Sequence, residues 1–205
     1  MVESNAVPGF LPSSNGLRFA NAFPSGPTVK IGPLDPRWIG IGDASGGLCG
    51  GMVTYVGERF EAGLPAPTDT EPPANGSALF RTLVHRQVRS LDWFVTPLRF
   101  WRLAAMDPAR AAARSRDREL PRIRTAIDAG RLVRVGLVRH HGWAPMGLAM
   151  DHQVLAHAYA IDGGTATLRI YDPNWPGRDD VTLIVDAAGC RQSTGEALNA
   201  LFRIA

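Results

Sequence analysis

Lysine is nearly missing from this 205-residue chain: among its 22 basic residues, Lys30 alone is not an arginine. Together with the abundance of Ala and Gly, that choice reads as the codon bias of a GC-rich genome rather than the demand of a ligand. Cysteine is also scarce. Cys49 and Cys190 are too few for a disulfide scaffold, although a bridge between them stays open as an alternative. Every apolar run is interrupted by Arg, Pro or Gly well short of the ~20 residues that span a bilayer. No repeat or heptad runs along the chain, which excludes collagen-like, coiled-coil and mucin-like classes. Paired-cysteine and HExxH spacings are absent, so nothing points to zinc. The first 30 residues lack the basic-then-apolar order of a secretory signal, and a cytoplasmic location is the expectation, export by another route leaving no readable mark.

What remains is an ordinary globular composition, 45% apolar and 20% charged, at a length ample for one core. The formal charge of +3 is the small difference between 22 basic and 19 acidic groups, so the surface is less basic than a pI of 9.3 suggests. Arg110, Arg114 and Arg118 recur at helical spacing and could track phosphates. Asp107, Asp117, Glu119 and Asp128 are interleaved with them, and no stacking aromatics accompany them. A solvated helix face is the better reading, and nucleic acid is the least supported partner.

The chain changes character near residue 131. Before it the pattern is helical: Met52, Val53, Val56 and Phe60 follow the 3.6 period, with Gly63 and Pro65 as the stop. A Pro-rich loop covers 64–76, and a second helix starts at Ser77. Pro97, Pro108 and Pro121 are expected to divide the rest into short helices ending at Gly130. After it the period becomes two. Residues 132–138 form a β-type run, and His152 to Ile161 reads as a strand. Asp162-Gly163-Gly164 turns a hairpin, and Ala166, Leu168 and Ile170 alternate along the returning strand. Val181 to Val185 is a further strand, and the last residues read as a helix turn or a strand. The order implies an α+β fold: an N-terminal arm over 1–38, then a single domain over 39–205 whose helical lobe covers about 39–130 and whose β lobe covers about 131–205.

Three segments could carry chemistry. Gly46-Gly47-Leu48-Cys49-Gly50-Gly51-Met52 leads directly into the first long helix. A cysteine in a first helical turn meets the positive end of the helix dipole and unpaired N–H groups, which favour the thiolate and can hold an oxyanion. The plain alternative is a small buried cysteine among glycines that allow close packing. Asp151-His152-Gln153 opens an apolar strand, so His152 is held rigidly at an edge. His157, five residues on, points to the opposite face and reads as structural. Tyr171-Asp172-Pro173-Asn174 closes the next strand, and hairpin pairing places Asp172 near His152, where it could orient the imidazole. Asp172 shares the inward face of Ala166, Leu168 and Ile170. Asn174 is the second candidate for the orienting role, although a turn asparagine commonly serves the backbone. Read as a calcium loop, Asp172 to Leu183 puts Pro176 and Leu183 where oxygen ligands belong, a poor match.

In this order and context, the Cys-His-Asp set resembles the papain-like cysteine peptidases, and most nearly bacterial branches such as the bacteriocin-processing peptidases. In those the histidine opens a strand and the acid sits in an Asp-Pro pair, as His152 and Asp172-Pro173 do. The Gly-Gly-Leu-Cys-Gly-Gly-Met box and Arg86-Gln87 are similar to those of uncharacterised bacterial proteins with this fold. The resemblance spans about 40–190. It implies a cysteine hydrolase of peptidase or amidase type with Cys49 as nucleophile, His152 as base and Asp172 as orienting acid, a peptide or amide-containing substrate, and no cofactor or metal. Acyl transfer and deamidation would use the same triad. One departure stands out. Papain-like enzymes commonly place an oxyanion-donating glutamine six residues before the nucleophile, and here that position is Asp43. Ser45, a backbone N–H or a distant side chain would then substitute, or the domain binds without catalysing.

Overall fold

The computed structural model describes residues 2–24, 47–92, 95–142 and 150–204. It is a mixed helical and antiparallel β structure whose sheet curls into a half-barrel. In chain order the elements are β1 (Glu3–Ala6), α1 (Pro12–Asn15), α2 (Cys49–Glu61), α3 (Ala78–Ser90), α4 (Val95–Ala104), α5 (Pro108–Arg114), a π turn (Ser115–Glu119), α6 (Leu120–Asp128), β2 (Val133–Val138), β3 (His152–Asp162), β4 (Thr165–Tyr171), β5 (Thr182–Asp186), β6 (Gly189–Gln192), β7 (Ala197–Leu198) and β8 (Ala200–Arg203). The strands run in the order β7-β6-β5-β4-β3-β2-β8. The edge of β3 that β2 occupies over 152–156 is continued over 158–161 by β1. Among the described residues, no helix is long and apolar enough to cross a membrane.

The hairpin expected at 162–164 forms, with Gly163 and Gly164 at φ 53° and 87°, the left-handed values its tight turn requires. Its register shifts between Ala156 and Ala158, so His157 is the extra residue of a bulge. Beyond the bulge Leu155 pairs with Tyr171. That leaves His152 and Asp172 together at the open end, on the face shared by Val154, Leu168 and Ile170.

The segment before residue 25 is built into the body. β1 joins the sheet, and Val7, Phe10, Leu17, Phe19 and Phe23 belong to the main apolar cluster with Met52, Val53 and Val56 of α2. α2 and α3 pack closely because Gly51 lies under the Leu83 carbonyl, where an added Cβ would be 2.2 Å from the oxygen. Ser77 caps α3 by accepting from the Phe80 N–H.

The expectation that Pro121 ends a helix does not hold. Residues 108–128 form one continuous helical rod, because the π turn lets the Leu120 N–H reach back to Ser115 and absorbs the break that proline would cause. The same turn covers the β8 edge of the sheet. Ser115 Oγ accepts from the Leu201 N–H and Glu119 Oε2 from the Arg203 N–H, so two backbone donors of an edge strand are satisfied by side chains. Glu119 is buried and held also by Arg99 at 3.2 Å. Arg110 and Arg118 of the basic stretch are exposed. The chain ends in strands rather than a helix turn.

Candidate active site

Cys49 is the first residue of α2 and is partly exposed, with a free thiol. His152 opens β3 and Asp172 follows the last residue of β4; both are buried, at 3% and 1% exposure. His152 Nε2 lies 2.7 Å from Asp172 Oδ1. The ring's other nitrogen, Nδ1, is not used by Asp172, and His152 is close enough to Cys49 to lower the pKa of its thiol. The backbone N–H groups of Gly50 and Gln153 also favour the thiolate.

These neighbours set the charge state. Burial alone would raise the Cys49 thiol, but its bond to His152, the charge of that ring and the two N–H donors outweigh it and lower the pKa. Burial alone would lower His152; the Asp172 carboxylate reverses this and raises it to about 9. Asp172 is held below the usual carboxylate range against its own burial, by His152 and by two further donors. Those donors are the Asn174 N–H at 2.8 Å and Gln192 Nε2 at 2.7 Å. The lowered thiol and the raised imidazole both move the pair toward thiolate–imidazolium, the state from which a sulfur nucleophile attacks without a prior proton transfer.

The sequence candidates separate clearly. Cys49, His152 and Asp172 come together. Asn174 does not orient the ring: its backbone N–H serves Asp172 and its side-chain oxygen accepts from Asn21 Nδ2 at 3.2 Å. Asp43 and Ser45 lie outside the described residues. His157 is packed against Phe10, with ring centroids 5.3 Å apart, and burial lowers its pKa to about 4, as befits a neutral structural histidine.

Three amides also belong to the site: Gln87, already marked by the Arg86-Gln87 pair, and Asn21 and Gln192, which no local pattern singles out. Gln192 of β6 anchors Asp172. Asn21 accepts from the Leu48 N–H at 2.6 Å, and Gln87 of α3 accepts from the Gly51 N–H at 2.8 Å. A second His–Asp pair also escaped the sequence pattern: His140 Nδ1 lies 2.9 Å from Asp151 Oδ1, whose carboxyl is raised to about 6 by burial. Among the described residues no nucleophile is recorded beside it. A cavity of about 580 Å³ runs along α2 from Val53 to Glu61, lined also by Arg89, Ser90 and Arg134 among others. None of the triad residues lines it, so the hydrogen bonds locate the chemistry and the cavity does not. Among the described residues no cluster of His, Cys, Asp and Glu is arranged to hold a metal ion.

No protein-family model, curated protein or solved structure matches this chain.

Proposed function

We propose that this chain is a cysteine-dependent hydrolase of peptidase or amidase type, acting on a peptide or amide-containing substrate in a papain-like domain. The observation that carries the reading is the buried relay from Cys49 through His152 to Asp172, with Asp172 fixed in turn by Gln192. The fold reading is supported by a cysteine at a helix start packed against a curled antiparallel sheet whose neighbouring strands bring the histidine and the acid.

In the reaction, Cys49 Sγ adds to the amide carbonyl carbon and the developing oxyanion is met by N–H groups of the first turn of α2. His152 gives its proton to the leaving nitrogen, the C–N bond breaks, and a thioester remains on Cys49. Neutral His152 then takes a proton from water, which attacks the thioester carbonyl. The C–S bond breaks, the acid leaves, and the thiolate–imidazolium pair is restored. Asp172 holds the ring with Nδ1 toward the sulfur and favours its charged form. Replacing that water with an amine gives acyl transfer, and a side-chain amide as substrate gives deamidation. The scheme draws on no cofactor.

A second reading, a papain-like binding domain without turnover, is favoured by Asp43, which stands where such enzymes carry the oxyanion glutamine. Iodoacetamide labelling of Cys49 as a function of pH separates the two. The hydrolase reading expects fast labelling below the ordinary thiol pKa of about 8.5, lost in His152→Ala. A rate that follows an ordinary thiol in both proteins overturns it and leaves the binding domain.

A further inference from the structure

The nucleophile helix starts without a cap of its own. Its N-cap residue is Leu48, which has no side-chain acceptor, and the structure records no cap bond from it. Helices of this length normally begin with Ser, Thr, Asp or Asn there. A self-contained capping box makes two bonds: the N-cap side chain accepts from the third helical N–H, and the third residue's side chain accepts from the N-cap N–H. Both bonds exist here, and both acceptors come from elsewhere in the chain. The third helical residue is Gly51, whose N–H is taken by Gln87 Oε1 from α3. The Leu48 N–H is taken by Asn21 Oδ1 from the segment before the helix.

We infer that Asn21 and Gln87 are positioning residues of the active site, supplying from outside the helix the capping box that holds the Cys49 turn in its reactive geometry. This rests on the cysteine-hydrolase reading above. Packing explains why the box is external. Any side chain on Gly51 would run into the Leu83 carbonyl, so the third position cannot carry the usual Glu or Gln. The first and last N–H groups of the turn are thereby occupied. Those of Cys49 and Gly50 lie between them, and the Gly50 N–H favours the thiolate form of Cys49.

Asn21 does a second job. Its Nδ2 donates to Asn174 Oδ1 and its backbone N–H donates to the Pro173 carbonyl at 2.9 Å. One residue therefore fixes the start of the nucleophile helix against the turn that follows Asp172. Gln87 is 8% exposed and makes its bond in a buried setting, where an unmade bond costs most.

The test uses the full chain, with iodoacetamide labelling of Cys49 across pH and thermal melting by circular dichroism, on Asn21→Ala, Gln87→Ala and Asn21→Asp. Both alanine variants should melt lower. Their labelling at neutral pH should fall by about tenfold, the rising limb moving to higher pH as the Gly50 and Gln153 N–H groups and His152 lose alignment with the sulfur. Asn21→Asp keeps an oxygen acceptor at the positive end of the helix, so its melting temperature should hold. It loses the donor to Asn174 and places a charge beside the thiolate, so its limb should still move up. Residues that only hold the fold together would lower melting in the alanine variants and leave the limb unmoved in those that fold; that result overturns the proposal. Where an alanine variant fails to fold, Asn21→Ser or Gln87→Asn, which add no charge, decides by the same readout. Wild-type labelling like an ordinary thiol, unchanged by His152→Ala, would mark the failure of the hydrolase reading itself.

Discussion

Two glycines of α2, six residues apart, should respond oppositely to the same added methyl group. At Gly51 a Cβ would stand 2.2 Å from the Leu83 carbonyl oxygen and 3.1 Å from the Gln87 nitrogen. Both are backbone atoms of α3, so neither can rotate away, and the oxygen is more than 1 Å inside ordinary contact. The helices must part by something like that distance, which also pulls the Gly51 N–H off Gln87. Overpacking of this kind costs about 1–3 kcal/mol, and at this chain length each kcal/mol moves the melting temperature by about 2–4 °C. Gly51→Ala should therefore lower melting by roughly 2–12 °C. Because the shifted turn carries Cys49, labelling of the thiol at neutral pH should slow as well. At Gly57 the nearest atoms to a new Cβ are the Leu155 methyls at 3.9 Å, an ordinary contact. There the helix propensity gain of about 0.5–1 kcal/mol is kept, and Gly57→Ala should melt about 1–4 °C higher with thiol labelling unchanged. Differential scanning calorimetry and a labelling time course read both effects. Equal melting temperatures for the two variants would refute the packing argument.

Other outcomes follow from the same geometry. Asp172→Asn removes the charge that raises His152, so thiol labelling at neutral pH should drop by at least about tenfold; Asn174→Ala should cost less in labelling and more in stability, and the reverse order would make Asn174 the orienting group. His157 has a folded pKa of about 4, below its ordinary 6.5. Its neutral form thus stabilises the fold above pH 6.5, and that contribution is lost as pH falls through 4, an effect of up to about 3 kcal/mol. His157→Leu should therefore narrow the gap between urea midpoints at pH 8 and pH 4, and an unchanged gap would sink this assignment. Cys49 and Cys190 are both free thiols, Cys190 buried in β6 and raised to about 11. Intact mass after alkylation, with and without reduction, should show the same two modified cysteines, and a bridge in the native protein contradicts the hydrolase reading.

The parts of the site that sequence made legible are those whose signals are local. Glycines around Cys49 mark a tight helix entry, the Asp-Gly-Gly turn fixes a hairpin, and hairpin pairing carries His152 to Asp172. Asn21 and Gln192 are neutral amides whose importance lies wholly in partners distant along the chain, and nothing in their neighbours distinguishes them from surface residues; Gln87 is marked only through the Arg86-Gln87 resemblance, without a role. The pairing of β1 with β3 escaped for a related reason, since Glu3 to Ala6 is short, exposed and polar. Pro121 misled because a local rule was overridden: the π turn ahead of it supplies the irregularity that proline needs, and the gain is a covered sheet edge. His140 gave no sign of its buried pairing because its partner, Asp151, lies across a loop.

The shared edge of β3 has a consequence for the order in which the molecule assembles. β1 and Asn21 can dock only on strands and turns encoded much later, at 157–161 and 173–174. During synthesis the first segment must wait, undocked, while the helices and then β2 to β4 leave the ribosome. Closing so long a loop is slow and carries a large entropic cost, so this docking belongs among the late steps of folding. Until it happens the Leu48 N–H has no acceptor, and His152 and Asp172 are not yet in place beside Cys49. A half-made chain therefore lacks the neighbours that lower the Cys49 pKa, and they arrive only with the finished fold.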